Sequence, residues 1–282
     1  MAQNRTAANA ADFARRHPTI VIGGALLALI TLAALLAPLI ARDPILLEPI
    51  NRLKAPSAEF WLGTDSLGRD VYARMVYGAR ISLLVGVSVA TISILSGSLI
   101  GLLAGYFARV DAVVMRLMDG IMAIPSILLA IALVALLGAS VKVVIIAIAI
   151  PEIPRVARLV RAVVLSVRDL PFVEAARSNG TRVGKLLRRH ILPSTVAPLI
   201  VQATYICASA ILTEAGLSFL GAGTPPEFPT WGNMSASSRL YLQRAPWTIF
   251  APGICLALVV LAVNLVGDGL RDRLDPRISR RM

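Results

Sequence analysis

The stretch ISLLVGVSVATISILSGSLIGLLAGYFA, residues 81–108, contains no charged side chain from its first residue to its last. An apolar run of about 18 residues or more is long enough to cross a bilayer as a helix. The whole chain has 282 residues, is 57% hydrophobic and contains further long apolar blocks. Short segments of alternating polarity, which are typical of a membrane β-barrel, do not occur in it. The sequence therefore predicts an all-α, polytopic membrane protein.

About six transmembrane helices are predicted from the apolar blocks. Their boundaries are residues 19–41, 81–106, 116–138, 141–163, 195–217 and 246–267. The fourth block differs from the others because it contains Lys142, Glu152 and Arg155. Pro151 and Pro154 in the same block predict a broken helix, since proline lacks the N–H that a helix interior requires.

The first apolar block has a second interpretation, a cleaved signal peptide, because Arg15 and Arg16 precede it. The block extends from Pro18 to Ala41, which is longer than the apolar core of a typical signal peptide. A retained first helix is therefore predicted, preceded by a short N-terminal segment.

Lysine and arginine accumulate on the cytoplasmic side of membrane proteins, and their distribution here gives an orientation. With the N-terminus inside, most basic residues lie inside, and the basic segment 42–80 is the exception. The same bias accounts for the net charge of +12, and no basic-aromatic surface for nucleic acid is visible. Both termini are predicted to be cytoplasmic. The predicted parts are a cytoplasmic segment 1–18, a first helix 19–41, an extracytoplasmic segment 42–80, a transmembrane domain 81–271 and a cytoplasmic basic tail 272–282.

A second outer segment is predicted over residues 218–245, and its prolines argue against regular helix there. Trp231 and Trp247 are predicted to lie at the membrane interface, where an indole keeps its N–H in water.

The longest inward-facing loop, residues 164–194, begins with a predicted short helix. Pro171 suits the first turn of a helix. Glu174 would then lie near the helix N-terminus, where the macrodipole favours a carboxylate. Asn179 and Gly180 predict the end of that helix, because glycine readily adopts the left-handed conformation.

A second short helix is predicted over residues 182–190, with Thr181 as its cap and Pro193 at the start of the fifth span. Its basic side chains are Arg182, Lys185, Arg188 and Arg189. Taken alone, this composition favours attraction to anionic membrane lipid slightly over docking of a protein partner.

The same loop contains Glu174-Ala175-Ala176, then Gly180, then Ile191-Leu192-Pro193. This order resembles the EAA motif of ABC-importer permeases, the binding-protein-dependent inner-membrane components. Further stretches, in the right order along nearly the whole chain, are similar to the C-type permease subunit of dipeptide, oligopeptide and nickel importers. These stretches are WLGTDSLGRDV (61–71), GARIS (78–82), EAGLSFLG (214–221), PTWGNM (229–234), APW (245–247), NLVGDGLRD (264–272) and LDPR (274–277).

The resemblance implies partners and a mechanism in the bacterial inner membrane. A C-type subunit pairs with a homologous B-type permease subunit to enclose the translocation path, and two cytoplasmic ATPase subunits dock on the EAA loops. An extracytoplasmic substrate-binding protein delivers a peptide or a related small solute. By carry-over, the coupling helix lies within residues 172–187. The implied ATPase-coupling residues are Glu174, Ala175, Ala176, Gly180, Ile191, Leu192 and Pro193.

No catalytic constellation is visible, so the chain is predicted not to be an enzyme. The nearest approach to a phosphate-binding loop, GTRVGKL at 180–186, is one residue short between its glycines and ends in Leu where Ser or Thr is needed. ATP is therefore expected to bind to the partner ATPase subunits, and no cofactor is predicted for the chain itself. Cys207 and Cys255 have no metal-ligand spacing, so no metal site is predicted either.

Two acidic residues within the apolar spans are further candidates, because buried ionisable groups often mark ion or substrate paths. Glu152 could pair with Arg155 or Arg158, one helical turn away. Glu214 has no evident local partner, and a pore or subunit contact is predicted for it. The competing function is a self-sufficient, ion-coupled secondary transporter or channel. Such transporters show broken helices in both halves, and the span 141–163 has no counterpart.

Overall fold

A computed structural model of the protein describes residues 17–274, which are mostly helical and contain no β-strand. The helices are α1 (Pro18–Ile40), α2 (Val71–Tyr106), α3 (Ala108–Ala123), α4 (Ser126–Leu137), α5 (Val141–Val167), α6 (Pro171–Ser178), α7 (Val183–Phe219), α8 (Trp231–Ser238) and α9 (Trp247–Leu274). Single 3₁₀ turns lie at Pro49–Asn51 and Arg239–Tyr241. The predicted all-α class is confirmed. Most of the predicted N-terminal segment and of the basic tail lies outside the described residues.

Four of the described helices, α1, α2, α7 and α9, are long and apolar enough to cross a membrane. The helices α3 and α4 meet at an angle of 88° and would together make a fifth span. The continuous helix predicted over residues 116–138 is therefore wrong. Pro125 disfavours helical backbone at Ile124, where α3 ends.

The fourth predicted span corresponds to α5, which has 27 residues and is long enough to cross a membrane, although it contains more charged residues than the other long helices. It continues through Pro151 and Pro154, both buried, so the predicted break is wrong. The helix α2 packs directly against this part of α5, and a Cβ added at Gly97 would lie 2.5 Å from Val156 Cβ. Membrane helices tolerate proline where neighbouring helices support them in this way.

The two ends of the helical bundle differ in how they are built. At one end α2 and α5 finish side by side. Arg168, which directly follows α5, donates a 3.1 Å hydrogen bond from Nη1 to the carbonyl of Gly105 in the last turn of α2. We call this end the basal end; α6 lies there, α7 starts there and α9 finishes there. The opposite end, formed by the connections 41–70 and 220–246, is the distal end.

The distal connections pack on each other and on the helices. Arg52 Nη2 donates to the Tyr241 hydroxyl at 3.0 Å, and Trp247 Nε1 donates to the Thr64 carbonyl at 3.3 Å. Trp231 is 1% exposed, and its Nε1 donates to a backbone carbonyl of α2 at 3.0 Å. The N–H of Trp231 therefore lies in the protein interior, and not in water as predicted. The prolines of this connection lie in non-helical backbone, as predicted, but α8 begins directly after them at Trp231, where no helix was predicted.

Candidate coupling site

The short helix α6 forms as the sequence predicts and presents most of its surface outward. Pro171 opens it, and Glu174 lies in its first turn, where the helix dipole favours a carboxylate. Val173 is completely buried and belongs to the main hydrophobic core. Phe172 is 48% exposed, and Glu174 and Ala175 are exposed as well. The helix is thus anchored at one side chain and leaves an accessible face at the basal end.

The end of α6 is a Schellman turn centred on Gly180. Gly180 has φ +72°, the left-handed region that the sequence predicts. Its N–H donates to the Arg177 carbonyl at 3.0 Å, and the Thr181 N–H donates to the Ala176 carbonyl at 3.1 Å. The two bonds satisfy carbonyl groups that the helix end leaves without partners. The direction of the exposed face of α6 is therefore set by this turn.

The second short helix of the predicted loop is instead the first part of α7. The helix begins at Val183 after Arg182, and Thr181 makes no capping hydrogen bond, so the predicted cap is wrong. A π-helical turn at Leu187–Ile191 follows, and Pro193 lies in the first turn of the α-helical stretch Leu192–Phe219, as predicted for the start of the fifth span. The wider π turn accommodates the missing N–H of the proline that follows it.

Three buried side chains hold the loop against the base of the bundle. Val173, Leu186 and Ile191 are each at most 1% exposed, and all three belong to one hydrophobic cluster with residues of α5. Ala176 packs against the same cluster. The sequence analysis missed Val173 and Leu186, although apolar residues spaced among basic ones are a signal for buried positions.

A further contact ties α6 to α2 and was not predicted. The guanidinium of Arg177 lies 5.9 Å from the centre of the Tyr106 ring, within the range of a cation–π interaction. Tyr106 is the last residue of α2. The loop 164–194 therefore contacts the ends of both central helices, α2 and α5.

The candidate Glu152 forms one of the two ion pairs that the sequence allows. Its Oε1 lies 2.9 Å from Arg155 Nη1, and the residue is 6% exposed. Arg158 pairs with Asp119 of α3 instead, at 2.5 Å. The ion pair with Arg155 explains how the Glu152 carboxylate can be buried, because a buried charge requires a partner. A transport role is not needed to explain it.

The candidate Glu214 is completely buried and, contrary to the sequence analysis, has local partners. Its Oε1 accepts hydrogen bonds from Ser218 Oγ at 2.8 Å and Thr224 Oγ1 at 3.2 Å. Asn233 Nδ2 donates to Thr224 Oγ1 at 3.0 Å and so ties α8 to the same cluster. A pore or subunit contact for Glu214 stays a prediction, and it would require the 220–230 connection to move away.

Among residues 17–274, no set of three or more His, Cys, Asp or Glu side chains could hold a metal ion.

Comparison with known proteins agrees with the fold. The closely similar relatives include a probable peptide ABC transporter permease protein of Sinorhizobium fredii, 59% identical over 268 residues, which cover 95% of this chain and 92% of that protein. The dipeptide transport system permease protein DppC of Alkalihalophilus pseudofirmus is 46% identical over 267 residues, which cover 94% of this chain and 88% of that protein.

A chain from an inward-facing structure of the MetNI methionine ABC transporter has a similar fold, with a TM-score of 0.58. The match covers 72% of this chain and 96% of that one, and at 18% identity it concerns the fold alone. The family model of the binding-protein-dependent transport system inner membrane component matches residues 97–280, more than half of the chain, including the whole loop 164–194. The chain therefore belongs to the family of binding-protein-dependent transport system inner membrane components.

Proposed function

We propose that this chain is the permease subunit of an ATP-driven, binding-protein-dependent importer of peptides or related small solutes. The names of its relatives support the solute class, since they are peptide and dipeptide permease proteins. The observation that carries the proposal is α6, which exposes Phe172, Glu174 and Ala175 at the basal end and ends in a fixed turn at Gly180. The chain forms half of the translocation path and catalyses no reaction itself.

The residues of the EAA motif divide into two roles in this proposal. Glu174 and Ala175 contact the ATPase subunit, because their side chains are exposed. Ala176, Gly180 and Ile191 fix the position of that contact, because they pack on the core or form the turn. Leu192 and Pro193 continue the same support into α7.

The proposed partners are those that membership of the family implies. A homologous B-type permease subunit completes the path, two cytoplasmic ATPase subunits bind ATP and dock on the coupling loops, and an extracytoplasmic binding protein delivers the solute. The chain lies in the bacterial inner membrane among lipid, with the basal end and both termini in the cytoplasm. The basic side chains of the loop at the start of α7, among them Arg182 and Lys185, support this orientation.

Affinity purification of the tagged chain from a mild-detergent extract tests the proposal. Mass spectrometry of the purified material is expected to identify a homologous permease and one or two ATPase subunits. Recovery of the chain alone, together with uptake into liposomes that is driven by an ion gradient without ATP, would contradict the proposal and favour a secondary transporter.

A further inference from the structure

Arginines along α5 form ion pairs with carboxylates, and two of these carboxylates, Asp111 and Asp119, belong to α3. Arg161 donates hydrogen bonds to Asp111 from both Nε and Nη2, and Nη2 lies 2.7 Å from Asp111 Oδ2. One turn earlier on α5, Arg158 Nη2 lies 2.5 Å from Asp119 Oδ1. Residues later in α3 thus pair with residues earlier in α5, so the two helix segments run in opposite directions.

The two pairs fix α3 at two points. Asp111 and Asp119 are separated by about two helical turns, or roughly 12 Å along the axis of α3. The Asp111 and Arg161 side chains are 22% and 35% exposed, whereas Asp119 and Arg158 are 58% and 47% exposed. The bidentate and less exposed pair is the stronger of the two, because water screens exposed ion pairs.

Apolar packing holds α3 only weakly. Met118 is buried, whereas Val113 and Leu117 are 71% and 63% exposed. The helix follows α2 after the single residue Phe107 and turns by 88° into α4. Because so little of α3 is buried, its position depends on the ion pairs to α5 more than on a shared core.

By contrast, α2 and α5 form one tightly packed unit that leads to α6. A Cβ added at Gly101 would lie 2.5 Å from the Ala157 carbonyl, and one at Gly105 would lie 2.6 Å from Val164 Cβ. Helices this close cannot slide independently, since interiors are close-packed. A displacement of α6 therefore reaches both helices together.

We propose that the Asp111–Arg161 pair is a positioning element that carries movement of α6 and α5 to the bent α3–α4 pair. The proposal rests on the proposed function, because the movement begins when ATPase subunits act on α6. Neither Asp111 nor Arg161 belongs to the EAA motif. The pair links helices whose bonding residues are 50 positions apart in the chain.

Distance measurements on the purified complex test this proposal without knowledge of the solute. Spin labels are placed at Val113 of α3 and at Leu29 of α1, both exposed, and their separation is measured by pulsed electron paramagnetic resonance with and without ATP. The wild-type complex is expected to show an ATP-dependent shift in this distance. Asp111→Asn is expected to lose the shift while the ATPase subunits still co-purify.

The exchange variant Asp111→Arg with Arg161→Asp is expected to regain the shift, because it restores the ion pair with its charges reversed. Asp272→Asn, the same substitution as Asp111→Asn at an exposed site near the end of α9, serves as a control and is expected to keep the shift. A full shift in Asp111→Asn, or no shift in the exchange variant, would overturn the proposal. Absence of ATPase subunits from the wild-type preparation would instead overturn the proposed function.

Discussion

Replacing Gly180 by proline tests the turn on which the exposed face of α6 depends. The native φ of +72° is inaccessible to proline, whose ring holds φ near −65°. The substitution also removes the N–H that donates to the Arg177 carbonyl at 3.0 Å. Even an ordinary side chain in left-handed backbone costs about 1–2 kcal/mol, and the lost hydrogen bond costs about 1 kcal/mol more. Because the proline ring forbids this φ, the native turn becomes unfavourable by at least about 2–3 kcal/mol, which is roughly a thirtyfold to a hundredfold change in its population.

The helix α6 cannot compensate for that loss. It has eight residues, and helices that short are not stable without tertiary support. Its contact with an ATPase subunit is then displaced, although the apolar spans are unchanged. In a reconstituted complex, Gly180→Pro is expected to insert normally and to hydrolyse ATP while transporting at least about ten times less solute per ATP hydrolysed.

Two alanine variants distinguish the effect of backbone conformation at the turn from the effect of steric crowding around it. A Cβ at Gly180 or at Gly184 would meet no other atom within 4 Å, but only Gly180 has positive φ. Gly180→Ala is expected to lower the transport-to-hydrolysis ratio, and Gly184→Ala, in helical backbone, is expected to leave it unchanged. Normal coupled transport by Gly180→Pro would refute the reasoning about this turn.

Four further substitutions test the packing of the fold by thermal unfolding in detergent. Glu214→Ala leaves two buried hydroxyls without their acceptor, so it is expected to destabilise the protein by about 3 kcal/mol, and Glu214→Gln is expected to destabilise it by less. Equal stability of Glu214→Ala and wild type would contradict the buried cluster. Gly101→Ala is expected to cost about 1–3 kcal/mol, because its Cβ would lie 2.5 Å from a carbonyl of α5. Gly24→Ala, where a Cβ meets nothing within 4 Å, is the matched control and is expected to be neutral or stabilising by up to about 1 kcal/mol.

Local signals predicted α6 and its C-terminal turn well. Pro171, Glu174 and Gly180 each act through their own backbone preference or through the dipole of the helix they sit in, so sequence alone locates α6 and its turn. The long apolar blocks likewise predict helices, because in lipid the backbone must satisfy its own hydrogen bonds.

Features that depend on neighbouring helices were not predictable. Pro151 and Pro154 are expected to break a helix, and packing against α2 overrides that preference. Trp231 suits an interface by type, yet a carbonyl of α2 receives its N–H in the interior. The partner of Arg161 is 50 positions away, and Thr224, one of the two hydroxyl donors to Glu214, comes from a connection that folds back on α7. A pattern within a short stretch of sequence does not indicate contacts between residues so far apart in the chain.

Photocross-linking from the exposed face of α6 tests the central claim most directly. A photoreactive amino acid is placed at Phe172, which is 48% exposed at the basal end, and as a control at Leu240, which is 85% exposed at the distal end. On irradiation of membranes, the Phe172 variant is expected to form a covalent product with an ATPase subunit, and the Leu240 variant is not. An ATPase adduct from Leu240, or none from Phe172 in membranes where the complex transports with ATP, would contradict the account.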